Sequence, residues 1–509
     1  MKPLQSFYKR KSLLRFAKQH WAAITLIAIG GLFMAHALIN HHFFHTYAYD
    51  LGIYSHALWQ YAHGIGADCN LFVDSDVPVS LLHDHFDLYL IIFSPLVLIF
   101  GQYTLQIIQV LALMMGGWGI YRYIQEISSD TRPSPTRNLI PWMGMLCYFS
   151  FFGVWHAVSY DYHSNVVAAN FLPWLFLFLK RERFGWAFLS LLAICISKES
   201  APLWLTCVAI GLLIEYWGDR RKMRWIAVYG LFCLVYFVVI TMAIMPLLGE
   251  GGSPGFWRYS HMGDSMSQVA LYMMQHPWQS ICMFFTNFQH DICYQGLKLE
   301  FWLCCAGSGL LMLFFKPHYL IMMLPPLLLK MMSRDAGFWG ITFQYNIEFA
   351  PILVLGAFSV IVRFGQQKNG RAGIILAAAT LLLTLSTTTY TCRQPLTHIS
   401  RSDVRILDKR HYKQSRFNIH CAYEMIEMIP DTAKVCADMG LVSHLAMREH
   451  ITLFPIKAEQ ADYIIMSTDT PSRDEAHQEI FSKITADTLR YKTIAADGRV
   501  ILIQRVPQP

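Results

Sequence analysis

Five short stretches set ionisable side chains at the ends of apolar runs: "YAYDLGIY" around Asp50, "LLHDHFD" at 81–87, "SYDYHS" at 159–164, "KES" at 198–200 and "QYNIEF" at 344–349. The candidate site residues are Asp50, His85, Asp161, His163, Lys198, Glu199 and Tyr345. Carboxylates in such places accept protons, lysine and histidine neutralise anions, and mixed histidine and carboxylate sets suit Zn²⁺ or Mn²⁺. No tight His-x-x-x-His spacing supports a metal, so a divalent cation stays a bare option. Each residue also has a plainer use. Asp50 and Glu199 can cap the helices that follow them, Lys198 can snorkel, His163 and Tyr345 can anchor at an interface, and His83 and His85 can be solvated.

The elements that must position these residues follow from composition. A chain of 509 residues with 54% hydrophobic and only 15% charged residues cannot be wrapped around ordinary soluble cores, so it is a polytopic membrane protein. Runs such as Trp21 to Ile39, Ile140 to Ala157, Trp225 to Leu248 and Ala372 to Tyr390 have the length a bilayer demands. The basic N-terminus, "MKPLQSFYKRKSLLRFAKQH", lacks a small-residue cleavage site after its long apolar run and reads as an uncleaved first span.

Lysine and arginine stay on the cytoplasmic side in short loops. The N-terminal tail, "RPSPTR" at 132–137, "KRER" at 180–183, "DRRKMR" at 219–224, "KPH" at 316–318 and "RFGQQKNGR" at 363–371 mark that side. The remaining loops face outward, and with them all five stretches above. One apolar segment, Leu88 to Gly101, breaks the parity; its length and its central Pro95 make it a re-entrant or interfacial helix. The expected fold is therefore an α-helical polytopic membrane protein of about eleven spans, N-terminus cytoplasmic and C-terminus outside. The location is the inner (plasma) membrane. The net charge of +7 is accounted for by the inner loops and implies no nucleic-acid partner.

Beyond residue 392 the apolar runs shrink to strand length, "KVCAD", "ITLF", "DYIIMS" and "RVILIQR", separated by helical pieces. This divides the chain into a transmembrane domain, 1–392, and a small extracytoplasmic α/β domain, 393–509, without a nucleotide-binding glycine loop. Of twelve cysteines, the outer ones are Cys69, Cys293, Cys392, Cys421 and Cys436. Cys421 and Cys436 can pair if the fold brings their Cα atoms within about 7 Å.

Asp50 thus lies at the outer surface, followed by Leu51, Tyr54, Leu58 and Tyr61 at the spacing of a helix lying flat in the interface. Ionisable groups at membrane depth are costly and usually kept for a function, which favours one shared outer cleft over five separate plain uses.

The "DLGIYSHALW" of the first outer loop, the "HF" ahead of "SPLVLIFG", the "DYHSN", the "KES" and the "GLVSHLAMREHITLFP" of the tail resemble the marks of a family of prokaryotic predicted integral membrane proteins. That family is grouped by architecture with the C-superfamily, polyprenyl-phosphate-sugar-dependent glycosyltransferases. The resemblance covers the chain from about Asp50 into the tail. It implies a membrane glycosyltransferase-like protein that moves a sugar from a polyprenyl-phosphate carrier to an acceptor on the outer face. Its partners are then the lipid-linked sugar and membrane lipids. Asp50 fits the general base of such a transfer, Lys198 with His85 or His163 the phosphate side, and Asp161 and Glu199 an orienting or cation-holding role. The usual first-loop acid is often followed by further acid pairs, whereas "DSD" at 74–76 is the one close set here. The family has no general biochemical assignment, so neither sugar nor acceptor is implied. Two other readings stay open: a non-catalytic protein that binds or moves a lipid carrier on the same scaffold, and a secondary transporter. The latter fits less well, because transporter charges gather near the midplane.

Overall fold

A computed structural model describes residues 2–67, 71, 80–128, 138–249, 256–287, 294–367, 371–393, 406–415, 417–468 and 475–506. The "DSD" at 74–76, Cys69 and Cys293 lie outside them.

Among the described residues five helices are long and apolar enough to cross a membrane: His20–His42, Tyr89–Ser128, Arg220–Leu247, Phe349–Gln366 and Arg371–Arg393. Five shorter apolar helices lie at Leu139–Ser150, Ser164–Lys180, Phe184–Cys195, Ala201–Glu215 and His318–Met331. The short ones belong to bent paths. The run expected at 140–157, for example, turns at Phe151 (ψ 135°) and continues as Phe152–Val158. The most apolar window of Phe349–Gln366 is 78% buried, against 22% for Arg220–Leu247, so the former is the central post and the latter faces lipid. Close approach to Thr104–Ser128 depends on glycine, since a Cβ on Gly116 would fall on the side-chain amide of Asn170.

The basic loops gather at one end of the bundle and pair with one another. Arg181 meets Glu126 at 2.5 Å, Arg221 meets Glu182 at 2.9 Å, and Lys316 and His318 both meet Glu215 at 2.6 Å. The opposite end holds Asp50, Asp161, Lys198 and the loop 340–348. Segment 88–101 begins and ends at this second end. Its Leu88 amide bonds Ile196 O at 3.0 Å, and Gln109, early in the helix that follows, bonds the amide of His163 at 2.9 Å. Gly101 (φ 53°) makes the turn. Leu98 and Ile99 are 80% and 71% exposed, as suits a helix resting in the interface.

The helix after Asp50 departs from expectation. Ile53–Ala62 does not lie flat in lipid, because Tyr54, Ser55, His56, Ala57, Leu58 and Gln60 are all buried. It packs instead on the segment that follows, with Tyr54, Ala57 and Leu58 in one apolar cluster with Tyr89, Leu90 and Val97, and His56 Nδ1 lies 3.0 Å from Ala446 O of the tail.

In the tail, strands β1 (Val435–Ala437), β2 (Ile451–Leu453), β3 (Tyr463–Ser467), β4 (Tyr491–Ala496) and β5 (Val500–Arg505) form a sheet of order β2-β1-β3-β5-β4. β1 runs parallel to β2 and β3, and β5 antiparallel to β3 and β4. One face packs Val435, Ala437, Ile465 and Leu502 against helix Ile419–Glu427, and the other packs Cys436, Ile464 and Ile503 against Ile484. Strand alternation therefore turns Cys436 away from the helix that carries Cys421. Both cysteines are free, so the proposed pairing does not form.

Candidate functional site

Asp50 sits in a single wide turn, Ala48–Gly52, closed by the amide of Gly52 bonding Tyr47 O at 3.1 Å. Such five-residue turns often mark functional positions. Its carboxylate caps no amide. Oδ1 lies 3.0 Å from His163 Nε2, and Oδ2 accepts the hydroxyl of Tyr160. The capping role falls to Asp161, whose Oδ2 accepts the Tyr47 amide at 3.0 Å. His163 is not a lipid anchor but a buried ring whose Nδ1 lies 3.2 Å from the carbonyl of Asp161. Nε2 also meets the side-chain amide nitrogen of Gln344, at 2.8 Å.

These contacts set two neighbouring carboxyls to opposite states. Burial raises Asp50, but the charge and hydrogen bond of His163, the hydrogen bond of Tyr160 and the charge of Lys198 outweigh it and leave the group below its ordinary pKa. Burial and the charge of Asp50 push Asp161 well above the carboxylate range. Asp50 is held toward its ionised form and Asp161 toward its neutral one.

The other candidates lie on the same end of the bundle. Glu199 does not cap the next helix, whose N-cap is Ser200. Its Oε1 lies 3.5 Å from His85 Nδ1 and its Oε2 accepts the Phe86 amide at 3.3 Å. Although burial raises Glu199, the charge and hydrogen bond of His85 and the charge of Lys198 bring it down to about 2. His83 is buried rather than solvated, with Nδ1 3.1 Å from Met245 O. Among the described residues Lys198 has no hydrogen-bond or ion-pair partner for its ammonium, yet its field lowers Asp50, Asp87, Glu199 and Glu348 alike. Lys198 therefore stands within electrostatic reach of four carboxylates.

The loop 340–348 completes the arrangement. Phe343 adopts a left-handed conformation (φ 58°), unusual for a bulky residue, and places its ring 4.8 Å from that of Tyr160. Gln344 then points at His163, Tyr345 stacks on Phe338 at 4.0 Å, and Glu348 accepts from Asn165 at 2.7 Å. Tyr345 faces the site without bonding Asp50.

Asp87, Asn165, Glu348, Tyr160, Gln109 and Gln344 join the site unforeseen. All but Gln109 lie in or beside the quoted stretches; Gln109 sits in a long apolar helix that gives no sign of it. Burial raises Asp87 to about 7, although its Oδ1 accepts the Tyr89 amide and its Oδ2 the hydroxyl of Ser164. Beside Lys198 a cavity of about 270 Å³ opens, apolar over most of its wall through Trp204, Met262, Met266 and Leu324, and polar at Asn165, Lys198 and Glu348. Among the described residues no three His, Cys, Asp or Glu side chains are grouped to hold a metal ion. Asp161 and Glu199, the expected cation holders, are turned to backbone amides and His85 instead.

Comparison with known proteins follows this geometry. A family model described as DUF2079, predicted membrane protein, matches residues 40–502. No curated protein matches in sequence. Among solved structures, the crystal structure of ArnT from Cupriavidus metallidurans bound to undecaprenyl phosphate is similar. Its TM-score is 0.51 at 11% identity, over 96% of this chain and 100% of that one. At that identity the likeness is one of fold.

Proposed function

This chain belongs to the DUF2079 family of predicted membrane proteins, and we propose that it is a membrane glycosyltransferase transferring a sugar from a polyprenyl-phosphate carrier to an acceptor on the outer face. We read it as about eleven spans, with the N-terminus cytoplasmic, the tail outside and the inner membrane as its location. The observation that carries the reading is a partly exposed carboxylate, Asp50, held ionised in the field of Lys198, whose ammonium has no hydrogen-bond or ion-pair partner among the described residues and lines a mostly apolar cavity. A mostly apolar cavity with an ammonium in its wall matches a lipid phosphate. The likeness of fold to ArnT, bound to undecaprenyl phosphate, supports the same ligand class.

In this reading the acceptor hydroxyl gives its proton to Asp50 as its oxygen bonds the anomeric carbon. The bond from that carbon to the carrier phosphate breaks, and the phosphate leaves as an anion against Lys198. A carboxylate has about four lone-pair sites, and His163 and Tyr160 occupy one on each oxygen, so each keeps one for the acceptor. His163 and Tyr160 orient Asp50, Asp161 fixes its turn, and Asn165 and Glu348 line the donor side with Lys198. His85 and Glu199 shape the loop beside it, and Tyr345 closes the acceptor side.

The test is binding of a polyprenyl phosphate to the full chain in nanodiscs, read as thermal stabilisation. Lys198→Met should weaken binding about 10- to 100-fold, the worth of a hydrogen bond to a charged group. Equal affinity of wild type and variant refutes the phosphate role.

A further inference from the structure

The turn that carries Asp50 is built from two sides, and one of them is the tail. Phe44 and Ala48, which precede Asp50, are fully buried in the same apolar cluster as Val435, Leu441 and Val442. A Cβ on Gly52 would stand 3.0 Å from Val442 Cγ1, so helix Met439–Leu445 lies directly on the turn. The contact is polar as well. Thr46 Oγ1 lies 2.9 Å from both Ser443 Oγ and His41 Nδ1. The His41 ring lies flat on His444, centroids 4.1 Å apart and planes within 2°, and Phe44 packs on the same ring at 4.1 Å. Beyond the turn, His56 Nδ1 lies 3.0 Å from Ala446 O. Thr46, Ser443 and His41 are all buried, so these contacts form in a dry seam where geometry is strongly fixed.

We propose that helix Met439–Leu445 of the tail is a positioning element of the acid site, holding Asp50 in place through Val442, Ser443 and His444. The tail is then part of the machinery of the bundle and not a separate module tethered to it. The inference rests on the reading of Asp50 as base only for its effect on transfer; the positioning itself is read separately.

The histidine stack gives that positioning a pH signature. His444 faces His41 and His42 of the first helix and Tyr423 of helix Ile419–Glu427, whose hydroxyl lies 3.3 Å from its Nδ1; Tyr103 meets His41 edge-on at 5.3 Å. Burial first, then the neighbouring His41 and His42, push His444 well below its ordinary pKa, so the docked ring is neutral. Undocked, it titrates near an ordinary value of about 6.5. The undocked state then binds more protons below that pH, so docking is at full strength above about 6.5 and weakens as pH falls. One such imidazole lowers the docking constant about 30-fold between about pH 7.5 and 5.

The experiment is hydrogen exchange on the full chain in nanodiscs at those two pH values, corrected for intrinsic rates. In wild type, amides 48–53 should lose about 30-fold of protection on acidification while those of β1, β3 and β5 keep theirs. His444→Phe keeps a ring on His41 and Phe44 but takes no proton, and should lose clearly less protection at low pH than wild type, the buried His41 of the same stack being left to titrate. Ser443→Ala should speed exchange of 48–53 at both pH values and lower kcat more than KM for the lipid donor. An identical acid response in wild type and His444→Phe, or unchanged exchange of 48–53 in Ser443→Ala, overturns the proposal. Should His444→Phe lose the sheet's protection as well, Ser443→Ala decides alone. If Asp50→Asn transfers sugar at the wild-type rate, the catalytic reading falls while the exchange result stands.

Discussion

Asp50→Asn isolates the acid from its scaffold, because Asp161 and not Asp50 holds the amide of the turn. The substitution keeps size and removes charge. Asparagine retains one acceptor oxygen for either Tyr160 or His163, so one charge-assisted hydrogen bond is lost. At a side chain 23% exposed this costs on the order of 1 kcal/mol of stability after allowance for solvent. The rate effect is larger. Loss of a positioned base lowers transfer by about 10²- to 10⁴-fold, equivalent to about 3–5 kcal/mol of barrier. The two effects separate in an assay of sugar transfer by membranes at matched expression, with thermal stability measured in parallel. Asp161→Asn is the control: it keeps an acceptor oxygen for the Tyr47 amide in a site whose burial favours the neutral form, and should keep most of the activity. The pH dependence has a definite sign. Because the folded pKa of Asp50 is depressed, its stabilising contribution is present above about pH 4 and lost as pH falls through the folded value, so its titration produces no change between about pH 5 and 8. Wild-type transfer by Asp50→Asn refutes the base and favours a carrier-binding protein on the same scaffold.

Asp87 behaves oppositely. Its buried carboxyl titrates near about 7 when folded, so its contribution is greatest below about pH 4 and is lost as pH rises to 7, by up to about 4 kcal/mol. Asp87→Asn should flatten the decline of Tm between about pH 5 and 7, and an unchanged slope would rule this out. Reporters fused after Arg393 and Pro509 should be active only outside the cytoplasm, since the basic loops share the opposite end of the bundle. Cytoplasmic signal at both sites would reverse the faces and remove the site from the outer surface.

The long helices were legible because apolar length and lysine placement act residue by residue. His20–His42, Arg220–Leu247 and Arg371–Arg393 each enclose or nearly match an expected run. Segment 88–101, expected as re-entrant or interfacial, runs on into the next helix within the apolar stretch Tyr89–Ser128. What failed depended on contacts distant in sequence. Ile53–Ala62 has the periodicity of an interfacial helix, and nothing local says that Tyr89, Leu90 and Val97 bury it or that Ala446, 390 residues later, meets His56. Cys421 and Cys436 are near neighbours in the chain, but the alternation of β1 puts them on opposite faces of the sheet.

The site shows the same division between type and state. Asp50 and Asp161 are identical residues at the same surface, and sequence grouped them without saying which would carry charge. The structure separates them by their partners. Asp50 gathers a phenol, an imidazole and the field of Lys198, all favouring the anion, while Asp161 is buried beside that anion with backbone amides for company. Two like carboxyls so close cannot both ionise cheaply, and the one with the cationic surroundings keeps the charge. A proton acceptor must be charged and reachable, and a turn clamp need only be rigid. The partly exposed Asp50, held toward its anion, suits the first requirement, and the buried Asp161, held toward its neutral form, suits the second, each through neighbours more than 100 residues away in the chain.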